Sequence, residues 1–230
     1  MKALFLAPFF SMPIKITISS DFHGKLPSIP SCDLLIIAGD ITPGASLIKQ
    51  AYFLETTFRE YLEKVNASDV VFIAGNHDSI FQKAPHLVPK DLKATYLQDS
   101  FTEKFGLKIY GTPWQLPFYG AFNATEPSLK DIYARIPSCD ILISHGPAYS
   151  LLDAIKQTPY DPDCELLYET IHVGSRALKE KIISITPKLV VTGHVHEAYG
   201  KTSLGSTLIV NGSYLDENMR PTHDPITIEL

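Results

Sequence analysis

An α/β fold is what this sequence predicts, and three observations carry the expectation. From Ile14 onward, short β-branched runs alternate with longer stretches of helical periodicity. The short runs are continuously apolar, as strands covered on both faces are. Several of them end in Gly, Asp, Asn or His, the place where an open α/β sheet gathers its ligand-binding side chains. Composition allows such a fold: at 230 residues, 45% apolar and 20% charged, the chain is neither disordered nor collagen-like and can bury a sizeable core.

The first strand is expected over Ile14 to Ser20 and the second over Leu34 to Ala38. A helix follows from about Ala45 to Val65, where Leu47, Ile48, Ala51, Leu54, Phe58, Tyr61, Leu62 and Val65 recur at three- and four-residue steps. Further strands are expected over Val70 to Ala74 and Lys108 to Tyr110. Between Thr112 and Pro127 the sequence crowds Pro, Gly and aromatics together, which predicts a long irregular loop of the functional kind. Strands at Ile141 to Ser144, Leu189 to Thr192 and Thr207 to Asn211 complete the set, with a helix over Ser175 to Ile185 that Pro187 closes. One echo stands out: Pro30-Ser31-Cys32-Asp33-Leu34 resembles Pro137-Ser138-Cys139-Asp140-Ile141, and each leads into a strand. No linker or composition shift divides the chain, so one domain is expected over residues 14–230. Residues 1–13 form an extension whose apolar run is broken by Pro8 and lacks a small-x-small cleavage site, which disfavours a signal peptide. It reads either as a packed arm or as the product of a start upstream of Met12.

Charge and cysteine content narrow the function classes. Twenty basic residues against 25 acidic ones leave a net charge of −5, which argues against a general binder of long nucleic acids. No apolar run is long enough to span a membrane, so no membrane association is expected. Cys32, Cys139 and Cys164 are odd in number, widely spaced and without a C-x-x-C pair. They read as small core residues in a chain of a reducing compartment, with a cytoplasmic location expected.

Five of the eight histidines, His23, His77, His145, His194 and His196, lie at or just after expected strand ends. A lone histidine carries little, but an ordered set at successive strand ends can converge in one crevice. Asp21, His23, Asp40, Asn76, His145, His194 and His196 offer carboxylate, amide and imidazole donors with no thiolate, a set suited to Mn, Fe or Zn. That is too many for one ion, which takes three or four protein ligands in a catalytic zinc site. A carboxylate shared between two cations about 3.5–4 Å apart absorbs the surplus and gives the clamp used for in-line phosphoryl displacement.

In order along the chain these blocks read D-x-H at Asp21-Phe22-His23, G-D at Gly39-Asp40, G-N-H-D at Gly75-Asn76-His77-Asp78, a lone His145, and G-H-x-H at Gly193-His194-Val195-His196. In this order they resemble the calcineurin-like metallophosphoesterases. Gly111-Thr112-Pro113-Trp114, Tyr119-Gly120-Ala121-Phe122-Asn123, His145-Gly146-Pro147 with Asp153, and His172-Val173-Gly174-Ser175 look like the class III phosphodiesterase branch and its metallophosphoesterase-domain proteins. The chain departs from that branch at Ala148 and Ser150, where a second proline and a glycine are usual.

The resemblance implies a four-layer αββα sandwich, two mixed sheets flanked by helices. It implies one metal held by Asp21, His23, Asp40 and His196, and a second held by Asp40, Asn76, His145 and His194, with a hydroxide bridging the two as the attacking group. His77 would assist the leaving group and Asp78 would hold the His77 imidazole. The implied activity is hydrolysis of phosphodiesters, cyclic nucleotides included, or related phosphoesters, so the expected partner is a small phosphoester. Rival readings are a non-catalytic scaffold on the same fold, and a nuclease or phosphomonoesterase sharing the site. Trp114, Tyr119 and Phe122 read as loop-packing aromatics before substrate contacts, His86 and His223 as solvent-facing, Lys25 as solvated, and His172 stays unassigned.

Overall fold

The structure, a computed structural model, describes residues 13–157 and 169–230. In chain order the strands are β1 (Lys15–Ser19), β2 (Cys32–Ala38), β3 (Ala67–Ile73), β4 (Thr95–Tyr96), β5 (Ser100–Lys104), β6 (Leu107–Thr112), β7 (Ile141–Ser144), β8 (Ala154–Gln157), β9 (Glu169–His172), β10 (Leu189–Thr192), β11 (Gly200–Leu204), β12 (Thr207–Asn211) and β13 (Ile226–Glu229). The helices are α1 (Leu47–Phe53), α2 (Arg59–Lys64), α3 (Ser79–Lys83), α4 (Glu126–Ala134) and α5 (Arg176–Ile185), with a π turn over Leu54–Phe58 joining α1 to α2.

One sheet runs β13-β1-β2-β3-β4, parallel except where β13 pairs antiparallel with β1. The other runs β11-β12-β10-β7-β6-β5, with a parallel centre and antiparallel edges. β8 and β9 form a separate hairpin. Alternate residues of each central strand face opposite layers. From β2, Leu34, Ile36 and Ala38 meet Ile141, Ile143, Leu189 and Val191 of the other sheet, while Leu35 and Ile37 turn to Leu54, Phe58, Leu62 and Phe81 of the helical layer. On the far side Leu142, Val190 and Ile209 pack against Leu129, Tyr133, Leu178 and Ile182 of α4 and α5. Two sheets between two helical layers are the αββα sandwich that the resemblance implies. Burial on both faces is why these strands read as unbroken apolar runs.

The strands that the apolar runs did not reveal are mostly edges. β5 and β11 alternate between exposed and half-buried residues, so polar side chains interrupt them. α4 begins at Glu126, inside the stretch expected as loop, with Pro in its first turn, where a missing N–H costs nothing. The first expected helix also differs. Gln50, Leu54, Phe58 and Leu62 are buried at steps of four, a spacing the π turn accommodates, since a π turn takes more residues per turn than an α turn. That phase carries Gln50 inward and leaves Ile48 77% exposed.

The internal echo is structural. Asp33 Oδ2 accepts the N–H of Lys15 at 2.8 Å, and Asp140 Oδ2 accepts the N–H of Lys108 at 2.9 Å. Each aspartate thus fastens the start of the neighbouring parallel strand, β1 for β2 and β6 for β7. Cys32 and Cys139 are buried free thiols, as expected of core residues, while Cys164 and Met1 to Met12 lie outside the described residues. Among the described residues no helix is long and apolar enough to cross a membrane.

Candidate metal centre

The strand ends of both sheets meet at one edge of the sandwich. β1 delivers Asp21 and His23, β2 delivers Asp40, and β3 delivers Asn76 and His77; from the other sheet β7 delivers His145, and β10 delivers His194 and His196. Four of these residues, Asp21, His23, Asp40 and His194, have φ between 44° and 68°, the left-handed region that side chains with a Cβ enter at a cost. Strain gathered on one cluster marks a site whose surroundings enforce an uncommon backbone. Gly75 is required for space: a Cβ there would collide with Asp40 Oδ1.

Asp40 is the hub. Its Oδ2 lies 3.6 Å from His23 Nε2 and 3.5 Å from His145 Nε2, while Oδ1 accepts the backbone N–H of His77 at 2.7 Å. Asn76 Oδ1 lies 3.0 Å from both His145 Nε2 and His194 Nδ1, and Asn76 Nδ2 donates to Tyr119 O at 2.9 Å. Asp21 Oδ1 lies 3.6 Å from His196 Nε2. Asp21 is also held by the hydroxyls of Ser20 at 2.5 Å and Ser213 at 2.8 Å, and by the backbone N–H of His194.

These donors fit divalent cations. His145 Nδ1 sits 2.8 Å from Ala38 O and His196 Nδ1 sits 2.9 Å from Asp216 O, so in each neutral ring the proton belongs on Nδ1 and the lone pair of Nε2 faces the cluster. When the His145 ring is neutral, its Nε2 lone pair faces the amide oxygen of Asn76, acceptor against acceptor, a contact that either a proton or a cation between them resolves. His23 Nε2 is buried with no hydrogen-bond partner. Three overlapping groups, Asp21 with His23 and His196, His23 with Asp40 and His77, and Asp21 with Asp40 and His145, each bring their ligand atoms within 4.8 Å.

Without cations the cluster polarises its own titration. Burial pushes the His145 imidazolium down, but the Asp40 carboxylate overcomes it and raises His145 to about 9. His196 is likewise lowered by burial and lifted to about 9 by Asp21. His194 is held at about 4 by burial and the neighbouring His145, and burial lowers His23. For Asp21, burial is outweighed by His196, and its carboxyl lies far below the ordinary range.

The expected contact between Asp78 and the His77 imidazole is not made. Asp78 is fully buried, and its carboxylate accepts the N–H groups of Ile41, Thr42 and Gly75 and the Thr42 hydroxyl at 2.7 to 3.1 Å. Backbone donors left unpaired beyond the strand ends outcompete the ring. Burial and the nearby Asp40 charge raise Asp78 to about 6. It ties the β2 and β3 loops together beneath the cluster. The His77 ring instead lies edge-on to His23, centroids 4.6 Å apart, and 5.7 Å from Tyr119. The residue that fixes His77 is Gln50, whose Nε2 donates to His77 O at 2.8 Å while its Oε1 accepts from Ile80 N. No sequence signal marked it, because one glutamine on an amphipathic helix looks like a surface residue.

The aromatic loop also sorts itself. Phe122 is buried, and Trp114 packs edge-on to it and donates to Asp99 Oδ2, so both are packing residues as expected. Tyr119, expected to pack, is instead 72% exposed beside His77, and Phe118 of the same loop is 70% exposed with its ring 5.3 Å from His194. His86 is exposed as expected, but His223 is not free: its ring stacks on Tyr199 at 4.2 Å and its Nδ1 meets Ser213 O. Lys25 is exposed and donates to Met219 O. His172 pairs with the buried Asp153 at 2.7 Å.

Known proteins resemble this chain in sequence and in fold. The profile of the calcineurin-like phosphoesterase family matches residues 14–198. The chain is 32% identical over 242 residues to human (Homo sapiens) metallophosphoesterase domain-containing protein 1, covering 92% of this chain and 69% of that one. It is 27% identical to a Caenorhabditis elegans protein named UPF0046 protein C25E10.12, with 97% and 83% covered. One solved structure superposes with a TM-score of 0.62 at 18% identity over 95% of this chain and 99% of that chain. That of TT1561 from Thermus thermophilus gives 0.54 at 15% identity over 87% and 89%, a likeness of fold. With its five motif blocks gathered at one edge and the profile spanning most of its length, the chain belongs to the calcineurin-like phosphoesterase family.

Proposed function

We propose that this chain is a two-metal phosphodiesterase acting on a small phosphoester in the cytoplasm. Asp21, His23, Asp40 and His196 would hold one ion, and Asp40, Asn76, His145 and His194 the other, with Mn, Fe or Zn suited to these donors. Bound cations supply charge neutralisation at the phosphoryl oxygens and acidify the attacking water. The observation that carries the reading is Asp40 Oδ2 placed 3.6 Å from His23 Nε2 and 3.5 Å from His145 Nε2, one carboxylate facing both halves of the ligand set.

The chain's own groups do the rest. Backbone bonds from Ala38 and Asp216 aim the His145 and His196 rings before any ligand arrives, so little reorganisation is left for the reaction. His77 is half-buried at the rim, its carbonyl pinned by Gln50 and its amide by Asp40, with the ring free to donate a proton to the departing alcohol oxygen. Asp78 supports that proton donor through the backbone. The net charge of −5 favours a small substrate over a long nucleic acid.

Protein loaded with Mn, Fe or Zn is expected to cleave bis(4-nitrophenyl) phosphate; a fully metallated sample inert on diesters and monoesters alike overturns the reading. Asp40→Ala is expected to lose both ions by elemental analysis. His77→Ala should keep both and slow turnover, most for poor leaving groups.

A further inference from the structure

Next to His194 the surface opens into a cavity of about 310 Å³. Leu116, Pro117 and Phe118 of the aromatic loop form one wall, Ile155 and Val173 of the β8–β9 hairpin another, and Val195 the floor beside His194 itself. Among the described residues, its only other polar lining residue is Glu197, which is exposed. The cavity is at the small end of ligand clefts, roughly 300–1,000 Å³, with room for one ring system. Its walls are too apolar for a sugar, and Glu197 repels a second phosphate.

The cavity and the proton donor occupy different ends of the cluster. His77 stands against His23 and Tyr119, whereas the cavity opens on His194 and Phe118. In an in-line displacement the leaving oxygen departs toward the donor, so a group seated beside His194 is one that stays on phosphorus. We propose that this cavity is the subsite for the retained ester group of a diester, that it takes a flat apolar ring, and that it is what separates diesters from monoesters. This rests on the phosphodiesterase reading above. A monoester carries nothing to fill the cavity and gains nothing from it.

Three substrates with a common leaving group test the proposal: bis(4-nitrophenyl) phosphate, methyl 4-nitrophenyl phosphate and 4-nitrophenyl phosphate. Phe118→Ala removes a ring that is 70% exposed and should leave the fold intact. Val173→Asp places a charge in the wall. Each is expected to lower kcat/KM for the aryl diester about tenfold, the order set by returning an aromatic ring to water, and to leave the methyl diester and the monoester within about twofold. Comparing variant with parent on each substrate cancels their different intrinsic reactivities. Equal losses on all three overturn the proposal. Binding decides it without turnover: the metal-loaded protein should hold diphenyl phosphate about tenfold more tightly than dimethyl phosphate by calorimetry, and Val173→Asp should erase the difference. Equal affinities in the parent overturn the subsite, whereas a tenfold preference with no hydrolysis of any substrate overturns the phosphodiesterase reading alone.

Discussion

Gln50 shows how much of the site depends on a residue that touches no substrate. It is the buried polar member of a helix face otherwise made of Leu54, Phe58 and Leu62, and its amide spans His77 O and Ile80 N. Gln50→Leu keeps the volume and strands both backbone groups, so stability is expected to fall by about 1–3 kcal/mol in chemical denaturation. Turnover should fall with it through a lower kcat at nearly constant metal content. Ser150 makes the opposite case. It holds φ at 61°, in the left-handed region that glycine enters freely, and its side chain is exposed. Ser150→Gly should stabilise the protein by about 1 kcal/mol by relieving the left-handed strain. At this scale the convergence of the seven proposed ligands at one edge was legible, because hard donors following apolar strands have few other uses. The partner of Asp78 was not, since neighbouring residues in sequence suggested the His77 ring while unpaired N–H groups from two other loops claimed the carboxylate.

Between residues and the whole molecule, the C-terminal elements have a larger share in the site than their motif content suggests. The family profile ends at residue 198, yet β12 leads directly into Ser213, which holds Asp21, and into Asp216, whose carbonyl aims His196. Ser213→Ala is therefore expected to weaken metal affinity about tenfold, the lower range for losing a ligand's hydrogen-bonding partner. Titration with a competing chelator measures it. A chain ending at Ala198 would lose β11, β12 and β13 and both supports, and should bind no ion. The central strands of both sheets were legible as apolar runs, and two of the helices through their periodicity and Pro187. The edge strands were hidden because one face meets solvent, and the π turn because pattern reading assumes one constant period. The repeated Pro-Ser-Cys-Asp proved to be architecture: Asp33 and Asp140 perform the same task in two sheets.

At the scale of the whole molecule, the two large sheets share an edge that carries the proposed ligands, four from one sheet and three from the other. Cations there would tie the sheets together, so metal loading should raise the unfolding temperature, and a chelator should reverse it. The pH dependence has a definite sign. In the metal-free protein His145 and His196, facing Asp40 and Asp21, titrate near 9 against about 6.5 in the unfolded chain. Their stabilising contribution is complete below about pH 6.5 and is lost as pH rises through about 9. Metal binding needs the neutral rings and strengthens over the same interval. The gap in unfolding temperature between loaded and stripped protein should therefore widen from pH 6 to pH 9; a constant gap contradicts the assignment.

The joint edge has one more consequence. Asp40 follows β2 of one sheet and His145 follows β7 of the other, so neither sheet by itself holds the full set of proposed ligands. Ion capture would then report assembly: two fragments of the chain, cut in an exposed turn between β5 and β6, would each stay blind to the metal and would recover it only as a reconstituted pair.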